Sequence, residues 1–248
     1  MRGLFEPGKL NLVLTDLDRL VVGGVMPVEP LALPACPEFG TLCFTERREL
    51  GIVNLAHQGN VRVGGQVYSL GYMDFLYIGT GNPDVVFESC GSVPACFYLL
   101  SAPAHRQYLV ARLSRADVPS EAMGEAKNAS RRHLHRCIHD GGIQSCQLVM
   151  GFTELEEASV WNTMPTHTHS RRSEVYLYTG LGEGMVLHLM GEPAATRHLI
   201  VRDREAVLSP SWSIHTGVGT NPYSFIWGMA GENKSYSDID PVSLNDLA

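Results

Sequence analysis

The chain has 248 residues, 44% of them hydrophobic, and a formal net charge of −7. That size suits one large domain or two small ones with a buried core, and the acidic balance speaks against a nucleic-acid partner, which needs a basic footprint. No run of about 18 apolar residues is present to span a membrane, and MRGLFEPGKLNLV lacks the apolar core and cleavage site of a secretory signal, so a soluble, cytoplasmic protein is expected.

From the N-terminus the pattern is short strands. Segments 52–55 (IVNL), 61–63 (VRV), 66–70 (QVYSL), 74–78 (DFLYI) and 84–88 (DVVFE) are rich in β-branched and aromatic residues. Glycines separate them, and Gly64-Gly65 between two alternating runs predicts a hairpin, because primed turns need positive φ. Such regular spacing predicts a sandwich or barrel. The cysteines (Cys36, Cys43, Cys90, Cys96, Cys137, Cys146) form no CxxC pair and no disulfide framework, so reduced core thiols are expected.

Residues 114–132 are polar, with a helix-compatible stretch near 120–125 and Ser120 as its candidate cap. They suggest a connector, giving modules at 1–115 and 141–248 joined by 116–140. Beyond it the strand pattern resumes at 147–152, 174–180, 185–190, 197–201, 205–209 and 223–229. The halves resemble a diverged repeat: LGYMDFLYIG answers VRDREAVLSP, and the aromatic FYLLSAPAH answers FIWGMAGEN. Two packed β-barrel modules follow.

The chemistry gathers in the second module. In Pro165-Thr-His167-Thr-His169 the two histidines alternate, so a strand presents both on one face. Glu174 has the wrong parity for that face, so 170–173 must turn the chain before it points back. His215, after Pro210-Ser-Trp-Ser-Ile, would come from a distant strand of the same barrel. Three imidazoles and a carboxylate suit zinc, iron, nickel or manganese, and the set alone does not choose. The spacing matches the first cupin motif, HxHx4E, with the late histidine of the second. Trp161 and Trp212 stand where that pattern has glycine. A second cluster, His133, His135, Cys137 and His139, also alternates, but Arg131, Arg132 and Arg136 disfavour a cation there and a solvated strand edge is expected. The first module has no histidine around 79–84 (GTGNPD), so one metal per chain is expected.

WNTMPTHTHSRRSEVYLY (161–178), MGEPAATRHLIV (190–201), SPSWSIHTGVGT (209–220) and FIWGMAGENKSYSDID (225–240) resemble the 5-keto-4-deoxyuronate isomerase family, as do DRLVVGGVMPV (18–28), FTERRELGIVNL (44–55) and SAPAHRQY (101–108). The resemblance implies an all-β bicupin, two double-stranded β-helix barrels, with one zinc per chain on His167, His169, Glu174 and His215. It also implies a homo-oligomer, often a hexamer. The implied reaction belongs to pectin and polyuronate breakdown and exchanges the C1 aldehyde and C2 hydroxyl of a 4-deoxy-5-keto-hexuronate. Two departures are visible, a shorter N-terminal segment and Ile239 where the family has methionine; neither touches the ligands. The nearest alternative is 5-deoxy-glucuronate isomerase of inositol catabolism. An iron dioxygenase or a non-catalytic sugar-binding cupin could use the same ligands.

Aldose–ketose exchange needs a general base near C2. Glu205, Tyr176, Tyr223, Glu232 and Glu174 are candidates that the sequence does not rank. An anionic uronate also needs a cation, and a guanidinium fork matches a carboxylate. Arg197 is the first choice for that clamp, with Arg171 and Arg172 as the others.

Overall fold

The structure is a computed structural model that describes residues 1–248, with 22 strands and four single-turn 3-10 helices. No helix is long and apolar enough to cross a membrane. The chain divides into two compact units, one of Gly3–Val118 with Cys137–Leu148, the other of Met1–Arg2, Pro119–Arg136 and Val149–Ala248.

In the first unit, a six-stranded antiparallel sheet runs in the order Leu10–Leu14, Val21–Val25, Phe97–Pro103, Arg48–Asn54, Phe75–Ile78, Ala111–Leu113. A four-stranded sheet runs Leu31–Ala32, Val85–Ser89, Gly59–Val63, Gln66–Leu70. Leu50, Ile52, Leu76 and Leu99 of the larger sheet meet Val61, Val63 and Phe87 of the smaller in one apolar core. Gly59–Val63 turns only its odd positions to the core, whereas Arg48–Asn54 is buried throughout. The expected hairpin is present, with Val63 opposite Gln66 and both Gly64 and Gly65 at positive φ.

The second unit repeats this plan. Its larger sheet runs Glu121–Met123, Arg132–Ile138, Val149–Leu155, Ser224–Gly231, Arg172–Thr179, Ala206–Ser209, with Arg132–Ile138 belonging to this unit through Arg136. Its smaller sheet runs Trp161–Asn162, Ile214–Gly219, Val186–Glu192, Ala195–Val201. The run Phe97–Pro103, Arg48–Asn54, Phe75–Ile78 in one sheet matches Ser224–Gly231, Arg172–Thr179, Ala206–Ser209 in the other, one place further along. The first and last strands of each run carry the sequence repeat. The fold is an all-β bicupin.

Three expectations need correction. Residues 121–123 form a strand, not a helix, pairing with 132–134. A stretch of six residues cannot meet the cost of helix nucleation, and Gly124 at φ +74° leaves the helical region. Ser120 caps nothing; its Oγ lies 3.0 Å from His133 Nδ1. The strand Arg132–Ile138 is not a solvated edge, since it has neighbours on both sides in its sheet. His135 is buried, its ring stacked on Phe152 at 4.2 Å, and Cys137 is fully buried. Finally, none of the six cysteines is in a disulfide, but only Cys96 and Cys137 are core thiols, and Cys90 is exposed.

Candidate metal centre

The strand Arg172–Thr179 lies between Ser224–Gly231 and Ala206–Ser209, and this fixes Glu174 opposite Met229 and Ser209. Before it, His167–Thr168 pairs with Asp240–Pro241 near the C-terminus. The chain then turns, with Arg172 N–H donating to the His169 carbonyl at 2.9 Å. This turn restores Glu174 to the histidine side, as its parity required. Acidic residues near the C-terminus pin it: Arg171 pairs with Asp238 and Asp240, and Ser170 N–H donates to Asp240 Oδ2 at 3.1 Å. His215 enters from the strand Ile214–Gly219 of the smaller sheet.

The four side chains converge. Ligand atoms of His167, His169, Glu174 and His215 all lie within 4.8 Å of one another. His167 Nε2 stands 3.2 Å from His169 Nε2 and 3.2 Å from His215 Nε2. Glu174 Oε2 stands 3.0 Å from His169 Nε2 and 3.1 Å from His215 Nε2. Metal–nitrogen bonds of roughly 2.0–2.1 Å put tetrahedral ligand atoms about 3.3 Å apart and right-angled ones about 2.9 Å apart. These four separations fall between those values, and the whole set lies within 4.8 Å.

The outer contacts are met by one tautomer in all three rings. His215 Nδ1 faces Ser209 Oγ at 3.2 Å, and the Pro165 carbonyl accepts from the His167 ring. His169 Nδ1 faces both the Asp238 carbonyl at 3.2 Å and Arg172 Nη2 at 3.3 Å, of which only the carbonyl can accept. We assign Nδ1–H to all three rings, which leaves three Nε2 lone pairs pointing inward. Glu174 Oε2 is then buried among lone pairs, and indeed it has no hydrogen-bond partner. The close Nε2–Oε2 approaches are therefore not hydrogen bonds, and an orphaned carboxylate oxygen facing three imidazole nitrogens fits a cation at their centre.

Charge states agree with that fit. Burial lowers His167 to about 3, helped by His215 and His169, so its ring is neutral. Burial alone would raise Glu174, but positive charge at the cluster, the role a bound cation would fill, outweighs it and holds the carboxyl below its usual range. The equivalent strand of the first unit shows why there is one cluster. Arg48 opposite Pro103 corresponds to Arg172 opposite Gly231, so buried Leu50 takes the place of Glu174.

A cavity of about 340 Å³ opens over His167, His169 and Glu174. Its walls are mostly apolar, including Met123, Leu134, Phe225, Trp227, Met229 and Ile239, with Arg132, Thr163, Tyr176 and Tyr236 among the polar groups. Ile239, the departure noted in sequence, thus lines this cavity.

None of the three arginines chosen from sequence does. Arg197 is exposed on the outer strand Ala195–Val201, its Nη1 donating to the Thr196 carbonyl at 2.8 Å. Arg171 is engaged with Asp238 and Asp240. Arg172 is buried and donates to the Asp238 carbonyl at 2.6 Å, behind His169. Among the base candidates, Tyr176 and Glu174 line the cavity; Glu205 pairs with Arg2 at 2.9 Å, Tyr223 bonds the Gly217 carbonyl, and Glu232 is exposed. Sequence reasoning passed over Arg132. Its signal was present as strand parity: Arg132 and Leu134 share a face, opposite to His133, His135 and Cys137.

A family model described as the KduI/IolB family matches residues 2–243. The chain belongs to the KduI/IolB family. It is 56% identical over 246 residues to a protein from Opitutus terrae named 4-deoxy-L-threo-5-hexosulose-uronate ketol-isomerase, covering 98% of this chain and 89% of that one. A relative of the same name from Bacillus licheniformis is 50% identical, covering 99% of this chain and 90% of the relative. Among solved structures, an IolB-like protein from Salmonella typhimurium LT2 superposes with TM-score 0.73 at 15% identity, covering 90% of this chain and 86% of that one. The oxalate decarboxylase of Lactobacillus farciminis gives TM-score 0.63 at 9% identity, covering 99% and 89%. At such identities the superpositions speak to fold alone, and both agree with the bicupin.

Proposed function

We propose that this family member is a zinc-dependent ketol-isomerase converting 4-deoxy-L-threo-5-hexosulose uronate to 3-deoxy-D-glycero-2,5-hexodiulosonate in polyuronate breakdown. The observation that carries it is the orphaned Glu174 oxygen among three inward imidazole nitrogens, at the floor of a cavity. The chain is also about half identical to relatives of that name along nearly its full length. In this reading the C-terminal module, 141–248, holds one metal on His167, His169, Glu174 and His215, and the N-terminal module, 1–115, holds none. The protein works in the cytoplasm as a homo-oligomer, a hexamer in the family pattern.

A divalent cation held by His167, His169, Glu174 and His215 would supply Lewis acidity to the reacting carbonyl, an effect worth several kcal/mol in general. The protein's own residues then have distinct tasks. Glu174 stays ionised and burial keeps the His167 ring neutral, the forms of carboxylate and imidazole that bind a cation. Tyr176 Oη lies 3.1 Å from Thr163 Oγ1, and burial pushes its phenol well above the ordinary range, so it keeps its proton at neutral pH. It suits donation to a substrate oxygen, not abstraction from C2. Trp227, Phe225 and Met229 keep water from the site.

The test pairs metal content with turnover. His167→Ala, His169→Ala and His215→Ala should each lose bound metal and activity together, and exhaustive chelation of the wild type should abolish turnover until zinc is restored. Undiminished activity on 4-deoxy-5-keto-uronate after chelation would refute the reading. Preferential turnover of 5-deoxy-glucuronate would redirect it.

A further inference from the structure

Arg132 is 7% exposed, opens onto the cavity that holds the metal cluster, and has no carboxylate paired with it. Its Nη1 donates to the Ser130 carbonyl at 2.8 Å and its Nη2 to the Met164 carbonyl at 3.3 Å. A guanidinium has five N–H donors, so three remain for something else. Burying a cation without a counter-charge is costly, and fixed charges held this way are found where a ligand completes the pair. The position is also defended. A Cβ on Gly124 would stand 2.1 Å from the Ser130 carbonyl oxygen and 2.9 Å from Arg132 Nη1, so glycine leaves the space that the guanidinium and its anchoring carbonyl occupy. Arg132 is the one arginine or lysine among the residues lining this cavity, and its neighbours there, Met123, Leu134 and Pro165, are apolar. Little water competes with an incoming anion.

We propose that Arg132 is the carboxylate-binding residue of the metal cavity, gripping the anionic end of a sugar acid whose other end reaches the His167, His169, Glu174 and His215 cluster. The two carbonyl bonds fix the plane of the guanidinium before substrate arrives, so the fork meets a carboxylate with little further ordering. Specificity for a uronate over a neutral sugar follows, because a neutral sugar leaves the buried cation uncompensated.

The proposal rests on the isomerase reading for its substrate, but its test can be separated from that reading. In metal-loaded protein, quenching of tryptophan fluorescence (Trp227 lines the cavity) would compare binding of D-galacturonate with its neutral counterpart D-galactose. Wild type should prefer the acid, Arg132→Gln should lose the preference, and Arg132→Lys should keep part of it. With 4-deoxy-5-keto-uronate as substrate, Arg132→Gln should raise KM about tenfold to a hundredfold while kcat and metal content change far less. Wild type with no preference for the acid, or a glutamine variant that retains it, overturns the proposal, the latter because the carboxylate is then held elsewhere. Should the glutamine variant fail to fold, Arg132→Lys decides alone: an unchanged KM and preference overturn it. If wild type prefers the acid through Arg132 but does not turn over the uronate, the isomerase reading fails and the anion site stands.

Discussion

At the scale of single residues, the ground around the metal cluster is as informative as the ligands. His188 is fully buried beside Tyr178, whose hydroxyl lies 2.7 Å from its Nδ1 and also accepts from Asn162 Nδ2 at 3.3 Å. The phenol therefore donates to His188, which must be neutral, and burial with the nearby His215 lowers the ring to about 3. Its folded pKa lies below the unfolded value of about 6.5, so the unfolded chain binds the extra proton between these limits. Stability is thus retained above pH 6.5 and falls as the pH drops toward 3. We expect metal-free wild type to lose about 2 kcal/mol more than His188→Gln between pH 7 and pH 5. Urea unfolding at both pH values checks this, and parallel losses in the two proteins would exclude His188 as the source.

At the scale of elements, the cavity depends on how closely three strands of the larger sheet approach. Gly151, on Val149–Leu155, has no room for a side chain: a Cβ there would sit 2.2 Å from the His135 carbonyl oxygen and 2.3 Å from Trp227 Cζ2. The first neighbour is backbone and cannot swing aside, and the second is an indole that lines the cavity. Gly151→Ala should destabilise the protein by roughly 1–3 kcal/mol through overpacking. It should also displace Trp227, altering its fluorescence. A melting temperature and emission spectrum identical to wild type would show that the sheet yields more easily than its packing implies.

For the whole molecule, the question is how distant parts of the chain are closed onto one another. The segment Cys137–Leu148 follows the second unit's first strands in sequence yet clusters with the N-terminal residues. Glu49 accounts for it. Its buried carboxylate accepts the N–H groups of Cys146, Gln147 and Leu148, each at 2.6 Å, and the Tyr77 hydroxyl at 2.7 Å. One side chain thus joins segments nearly a hundred residues apart. A glutamine there keeps the shape but turns an N–H group toward these donors, so Glu49→Gln should cost about 3 kcal/mol. Equilibrium unfolding measures it, and a loss below about 1 kcal/mol would mean the segment is held by other contacts.

The candidate ligand cluster was legible in part because its information is local: His167 and His169 by strand parity, Glu174 by its motif spacing to them, which in turn required the chain to turn over 170–173. Strands and glycine hairpins were legible for the same reason, since period-two burial and positive φ leave marks on neighbouring residues. His215 needed the motif spacing, as no local pattern joins it to the others. The zinc assignment and the reaction came from resemblance, since the donor set alone admits several metals. Tertiary structure decided the rest. The stretch 121–123 became a strand because 132–134 offered it a partner, which outweighs weak intrinsic helix preference in so short a run. In sequence Arg197 is the first choice for an anion and Arg132 is passed over. One lies exposed on an outer strand and the other opens into the cavity, because strand order within a sheet is set by pairing between residues far apart in the chain. Composition and periodicity report which face a residue takes relative to its own strand, and only the long-range pairing says what that face looks upon.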